Sequence, residues 1–192
     1  TQAAEQGDSR AQYRLAFCHY TGSGVEQDHV KAVHWYTQAA EQGDSRAQYR
    51  LGLCYRVGKG VEQNFATAAQ WCTKAAKQGH SRAQYRLGLC YGVGKGVQQH
   101  FETAVNWYTK AAEQGDSRAQ YRLGLCYGEG KGVQQDFVKA VHWYTKAAEQ
   151  GDSGAQYRLG LCYGEGEGVQ QDFATAVNWY TKAAEQGDSR AQ

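Results

Sequence analysis

The 192-residue sequence contains neither proline nor methionine. Without proline, its turns fall to other residues, chiefly its 24 glycines. Long apolar runs are also missing, and none approaches the roughly 18 residues needed to cross a bilayer. No charged-then-apolar leader opens the chain. Charge of one sign is lacking too: 21 basic residues stand against 19 acidic ones, a formal net charge of +2. No global field therefore announces a nucleic acid or a membrane as partner, and neither is expected. The missing methionine goes with an opening, "TQAAEQG", that recurs with small changes at the end of each later unit. The chain is thus expected to begin in mid-helix, as a fragment or edited form of something longer, with any targeting segment outside it.

What is present is one pattern written five times. Aligned on itself, the chain gives 36-residue units with no insertions: 8–43, 44–79, 80–115, 116–151 and 152–187. Residues 1–7 supply the end of a preceding unit, and 188–192 begin a truncated one. A period of this length indicates a solenoid, in which each unit covers the apolar face of the next. All the units are expected to form one solenoid domain.

Numbering positions 1 to 36 within a unit, the pattern predicts helix A over about positions 2–12 and helix B over about 22–35. Glycine at position 36 and Asp or His at position 1 read as a C-cap followed by an N-cap. The "GEGKGV" glycines end helix A and turn the chain. Asp28, Asn64, His100, Asp136 and Asp172, at position 21, read as caps of helix B. At 100° per residue, positions 4, 8, 11 and 12 of helix A share a face. In the fourth unit these are Ala119, Leu123, Cys126 and Tyr127. On helix B the matching face is Phe137, Ala140, Val141, Tyr144, Ala147 and Ala148. Gly124, at position 9, allows close approach of a neighbouring helix. Trp35, Trp71, Trp107, Trp143 and Trp179, at position 28, are expected between adjacent units.

These residues carry a resemblance. "AQYRLGLCYGEGKGVQQDFVKAVHWYTKAAEQGDS" resembles the Sel1-like repeat: Ala, Leu-Gly and Tyr, then Gly-x-Gly-Val, Asp, and Lys-Ala-x-x-Trp-Tyr-x-Lys-Ala-Ala. The match covers the whole chain; Ala16 and His19 are departures in the first unit. The resemblance implies an all-α, right-handed α/α superhelical solenoid related to tetratricopeptide repeats. It also implies an adaptor whose concave side, lined by A helices, holds partner proteins. Some secreted bacterial relatives pair cysteines between helix B and the next helix A. Here the matching positions are Ala and Gln, as at Ala148 and Gln156, so that bridge is absent.

The arginines are the candidate site. Ten of the eleven sit at positions 3 and 7 of helix A, and only Arg56 lies elsewhere. Positions 3, 6, 7, 10 and 14 form one stripe away from the packing face. The expected partner-binding residues are Arg82, Tyr85, Arg86 and Leu89. Flanking them are Arg46, Tyr49, Arg50 and Leu53, and Arg118, Tyr121, Arg122 and Leu125. Guanidinium forks suit carboxylate or phosphate, and tyrosine adds contact area. The competing reading is structural: position-3 arginines pair with acids of the neighbouring unit, and the tyrosines pack between A helices. Gly154 and Glu167 replace basic residues in the fifth unit, so that end should bind anions more weakly.

Five cysteines recur at position 11, facing the core, where a free thiol behaves as a small hydrophobe. Cys72 is an extra, at a position that is Tyr in the other units. Cys54 and Cys72 should lie too far apart to bond. Reduced, buried thiols favour a reducing compartment. A 36-residue spacing is not a zinc pattern, and "GEGKG" lacks both GxxxxGK[ST] and a preceding strand. No cofactor, metal or catalysis is expected, because a repeat offers copies of one surface rather than one asymmetric site. The expected function is a scaffold that binds a partner segment of acidic and apolar character. The alternatives are an end-to-end self-assembling array and polyanion binding.

Overall fold

The computed structural model describes residues 2–190, and among these the regular structure is eleven α-helices with no strand. A short α1 (Gln2–Glu5) leads. The A helices are α2 (Ser9–Thr21), α4 (Ser45–Val57), α6 (Ser81–Val93), α8 (Ser117–Glu129) and α10 (Ser153–Glu165). The B helices are α3 (His29–Glu41), α5 (Phe65–Lys77), α7 (Phe101–Glu113), α9 (Phe137–Glu149) and α11 (Phe173–Glu185). The fold is an all-helical solenoid of 36-residue hairpins. No described helix is long and apolar enough to cross a membrane.

Each A and B helix begins at a predicted cap. The Asp8 carboxylate accepts the Ala11 amide at 2.7 Å, and the Asp28 carboxylate accepts that of Lys31 at 2.9 Å. Two histidines cap as well: Nδ1 of His80 accepts from Ala83 and Nδ1 of His100 from Thr103. Helix A is longer than expected, running over positions 2–14. The position-13 glycine stays helical, and the one at position 15 makes the left-handed stop, with φ of 77° at Gly22 and 66° at Gly130. Helix B stops at position 34, one residue early. The connecting loop is braced by the position-20 glutamine. In the first hairpin Gln27 donates to the Tyr20 carbonyl at 3.0 Å, and in the fourth Gln135 donates to the Gly128 carbonyl at 2.7 Å.

The chain divides into two compact units, Thr1–Gln99 and His100–Gln192. Within each, every helix packs on the next in sequence, as a solenoid requires. The first unit's core joins Ala16, Ala32, Val33, Tyr36, Ala39, Ala40, Ala47, Leu51 and Cys54. The second unit's joins Ala140, Val141, Tyr144, Ala147, Ala148, Ala155, Leu159 and Cys162. The predicted apolar faces are these cores, with Cys126, Tyr127 and Phe137 only half-buried. Trp35, Trp71 and Trp179 lie partly buried against clusters that span two hairpins.

The position-5 glutamine, which the apolar pattern passes over, is buried in every hairpin at 4 % exposure. Gln156 Nε2 donates to the Ala148 carbonyl at 3.2 Å, and its Oε1 accepts from Gln186 at 2.8 Å. Gln48 does the same with Ala40 and Gln78. All six cysteines are free thiols; Cys54, Cys72 and Cys162 are buried, and the others are half-buried. Burial pushes the Cys54 thiol up to about 11 and that of Cys72 to about 12.

Candidate functional site: the arginine stripe of the A helices

The position-3 arginines are exposed, but their charge is partly spent. Arg46 donates Nη2 to Asp44 at 2.6 Å and Nε at 3.2 Å, while Asp44 also caps α4. Arg118 with Asp116 and Arg190 with Asp188 repeat the fork. The acid is thus the arginine's own helix cap, not an acid of the neighbouring unit as the structural alternative supposed. The cap lies two residues before the arginine, close enough for both guanidinium nitrogens to turn back onto it. Burial raises the Asp44 carboxyl, but the bonds from Arg46 and the Ala47 amide outweigh it and hold the group below the ordinary range. At Asp152, Gly154 removes the arginine, and burial leaves that carboxyl raised.

The same arginines cover tyrosines. Arg46 stands 4.6 Å over the Tyr13 ring and Arg190 4.8 Å over that of Tyr157. Beneath, Tyr13 packs on Tyr36 with centroids 6.0 Å apart, and Tyr157 on Tyr180 at 5.8 Å. Position 6 is therefore largely internal. Tyr49 and Tyr85 are only 7 % and 8 % exposed, and Tyr121 is half-buried against Tyr144. Seven predicted neighbours remain accessible in part or fully. Arg82 and Arg122 are exposed, and Arg50, Arg86, Leu53, Leu89 and Leu125 are half-buried. The stripe presents guanidinium and aliphatic surface, with the tyrosines mainly as its floor.

Two hollows in the first unit gather these residues. One, of about 300 Å³, is lined by Tyr13, Arg46, Tyr49, Arg50, His80, Ser81 and Arg82. No acid lines it. Asp44 is nearby but bound to Arg46, and Arg82 has no ion-pair partner among the described residues, because His80 replaces the cap aspartate. His80 stacks on Tyr49 at 4.8 Å. Burial, then Arg82 and Arg50, hold it below the ordinary histidine range. The second hollow, of about 190 Å³, brings Leu53, Arg86 and Leu89 together with Arg56, Phe65, Cys72 and Lys95. Arg118, Tyr121, Arg122 and Leu125 belong to the second unit, where Leu125 packs against the core. His80 and Phe65 were legible only as a cap and a core residue. Among the described residues no group of His, Cys, Asp or Glu is placed to hold a metal.

Known proteins place the chain. The Sel1 repeat matches residues 9–44, 45–80, 81–116, 117–152 and 153–188. A protective antigen present in uropathogenic Escherichia coli strains is 42% identical, with a TM-score of 0.96. The match covers 99% of this chain and 41% of that one, so the chain spans less than half the antigen's length. A Sel1 repeat protein from Oxalobacter formigenes is 39% identical over 97% of this chain and 74% of its own, with a TM-score of 0.91. An immunity protein from Pseudomonas aeruginosa is 26% identical, over 96% of this chain and 70% of that one, with a TM-score of 0.56. Among curated proteins there is no match. With five tandem matches laid over five helical hairpins, the chain belongs to the Sel1 repeat family.

Proposed function

We propose that the chain is a protein-interaction scaffold, and that the A-helix face of residues 1–99 binds an acidic segment of a partner protein. Sel1 repeats are commonly interaction scaffolds rather than enzymes. The observation that carries the reading is the hollow at Arg50 and Arg82. It gathers basic groups around a tyrosine floor with no lining acid to neutralise them. A carboxylate entering it gains charge-assisted hydrogen bonds from Arg50 and Arg82, which have no ion pair among the described residues, whereas Arg46 is held by Asp44. Leu53 and Leu89 extend the surface with aliphatic contact. The similarity to an immunity protein is in keeping with a role in binding protein.

The test is titration of acidic and scrambled neutral peptides into the unaltered chain and into an Arg50→Glu, Arg82→Glu variant. Arg46 is left alone because it supports a cap. Binding to the unaltered chain that disappears in the variant, with circular dichroism unchanged, is the expected result. Retained binding would sink the reading. Affinity that falls steeply with salt and ignores peptide sequence would instead favour a polyanion. Sedimentation across protein concentrations tests the separate reading of end-to-end stacking.

A further inference from the structure

Position 29 is Tyr36, Tyr108, Tyr144 and Tyr180 in four hairpins and Cys72 in the second. In the fourth and fifth hairpins the tyrosine ring occupies the space above the position-9 glycine. A Cβ built on Gly124 would lie 2.5 Å from Tyr144, and one on Gly160 would lie 2.6 Å from Tyr180. Gly52 keeps the bare backbone, and a Cβ built on it would meet the Cys72 sulfur at 2.9 Å and the Ala68 carbonyl at 3.1 Å in place of a ring. A ring is therefore missing from the space between α4, α5 and α6, and the hollow of about 190 Å³ stands there. Phe65, Leu53 and Leu89 wall it, and buried Cys72 lies at its floor.

The rim has also changed sign. The equivalent hollow in the second unit is about 120 Å³, holds Tyr144, and is rimmed by Glu129, Glu165 and Glu167. In the second and third hairpins those three positions are Val57, Val93 and Lys95. Lys95 and Arg56 are exposed at the mouth, with the Lys95 ammonium 4.0 Å from the Phe65 ring centroid. Arg86 also lines the hollow; its Nε is buried with no hydrogen-bond partner, as is that of Arg158. Arg158, at the equivalent place, lies 3.9 Å from Glu129, an acid for which Arg86 has no counterpart at Val57.

From the missing ring and the basic rim together, we propose that this pocket binds a single aromatic ring bearing or flanked by a carboxylate. An apolar cavity of roughly 150 Å³ is enough to take a benzene ring. The carboxylate would meet Arg86, Arg56 and Lys95, which gives the polar orientation that an apolar slot lacks by itself. The ring comes either from a free aromatic acid or from an aromatic side chain in an acidic peptide. In the second case the pocket rests on the scaffold reading, since Leu53, Arg86 and Leu89 serve both.

The experiment is calorimetric titration of 4-hydroxyphenylacetate, and of the neutral 4-methylphenol, into three chains. These are the unaltered protein, Cys72→Tyr, and Val93→Glu with Lys95→Glu. Cys72→Tyr puts back the ring that the other hairpins carry; the double variant copies exposed residues of the fifth and should fold regardless. Saturable binding of the acid is expected in the unaltered chain, weaker binding of 4-methylphenol, and loss of binding in Cys72→Tyr. Loss of about fivefold or more is expected in the double variant. No saturable binding of the acid, or equal binding to all three chains, would overturn the site. A second arm compares an acidic peptide containing one tyrosine with its alanine counterpart. A tyrosine advantage that Cys72→Tyr abolishes identifies the peptide as source; acid binding with no such advantage supports a free aromatic acid. Peptide binding that ignores the ring, with no binding of the acid, removes the pocket and leaves the scaffold. Acid binding with no peptide binding removes the scaffold and leaves the pocket.

Discussion

Single residues decide how the repeated frame behaves locally. His80 is the clearest case, since it replaces the aspartate that caps the other four A helices and, at α4 and α8, pairs with the position-3 arginine. Its Nδ1 accepts the Ala83 amide only when unprotonated, and burial with Arg82 and Arg50 nearby lowers its pKa. A histidine depressed on folding costs nothing above the ordinary range near 6.5, where both states are neutral. Below it the unfolded chain takes up the proton first, so stability falls with falling pH until folded His80 also titrates. Urea midpoints at pH 7 and pH 5 should therefore separate in the unaltered chain. In His80→Asp the separation should shrink, because an aspartate stays charged in both states across that interval. At Asp152 the residue is right and the partner is missing. Gly154→Arg should bring that carboxyl down, as Arg46 does for Asp44, and carbon-detected NMR titration would read the shift. The Cβ at 154 would meet Tyr121 at 3.1 Å, so the ring must give slightly to admit it.

Helices and loops show which letters of the repeat are obligatory. Gly132, with φ of 74°, lies where a Cβ would run into the Phe101 backbone. Gly132→Ala combines left-handed strain with that overlap and should cost about 2 kcal/mol or more, read as a drop in the denaturant midpoint. Gln48 joins α4 to the end of α3 through the Ala40 carbonyl and to Gln78 beyond α5. Gln48→Leu removes one of two donors to the Ala40 carbonyl, which keeps the Gly43 amide, and takes away the acceptor of Gln78; it should cost about 1 kcal/mol by the same measurement. A midpoint unchanged by Gln48→Leu would mean that water replaces the amide. The A helices were legible to within two residues from caps and apolar spacing. Their C-terminal error came from choosing between glycines two residues apart, which composition cannot rank. Tyrosine at position 6 looked like surface by spacing, yet Tyr49 and Tyr85 are buried, and Tyr13 and Tyr157 are half-buried between a tyrosine of helix B and an arginine above.

For the whole molecule, stability should scale with the number of hairpins, since each helix packs chiefly on its neighbours in sequence. Removing residues 152–192 should lower the unfolding midpoint while leaving helical content per residue nearly unchanged. Collapse of the remaining helices would show a more global core than nearest-neighbour packing supplies. The sequence alone determined the period, the helix–turn–helix unit, the caps, the apolar faces and the family, because these depend on residue type and on spacing within one repeat. Tertiary structure decided what spacing within one repeat cannot express. It made position 5 a buried hydrogen bond and put the tyrosines under the stripe. It also turned one Tyr-to-Cys difference into a pocket. These outcomes depend on what the neighbouring helix places opposite a residue, and that opposition exists only once the hairpins have stacked.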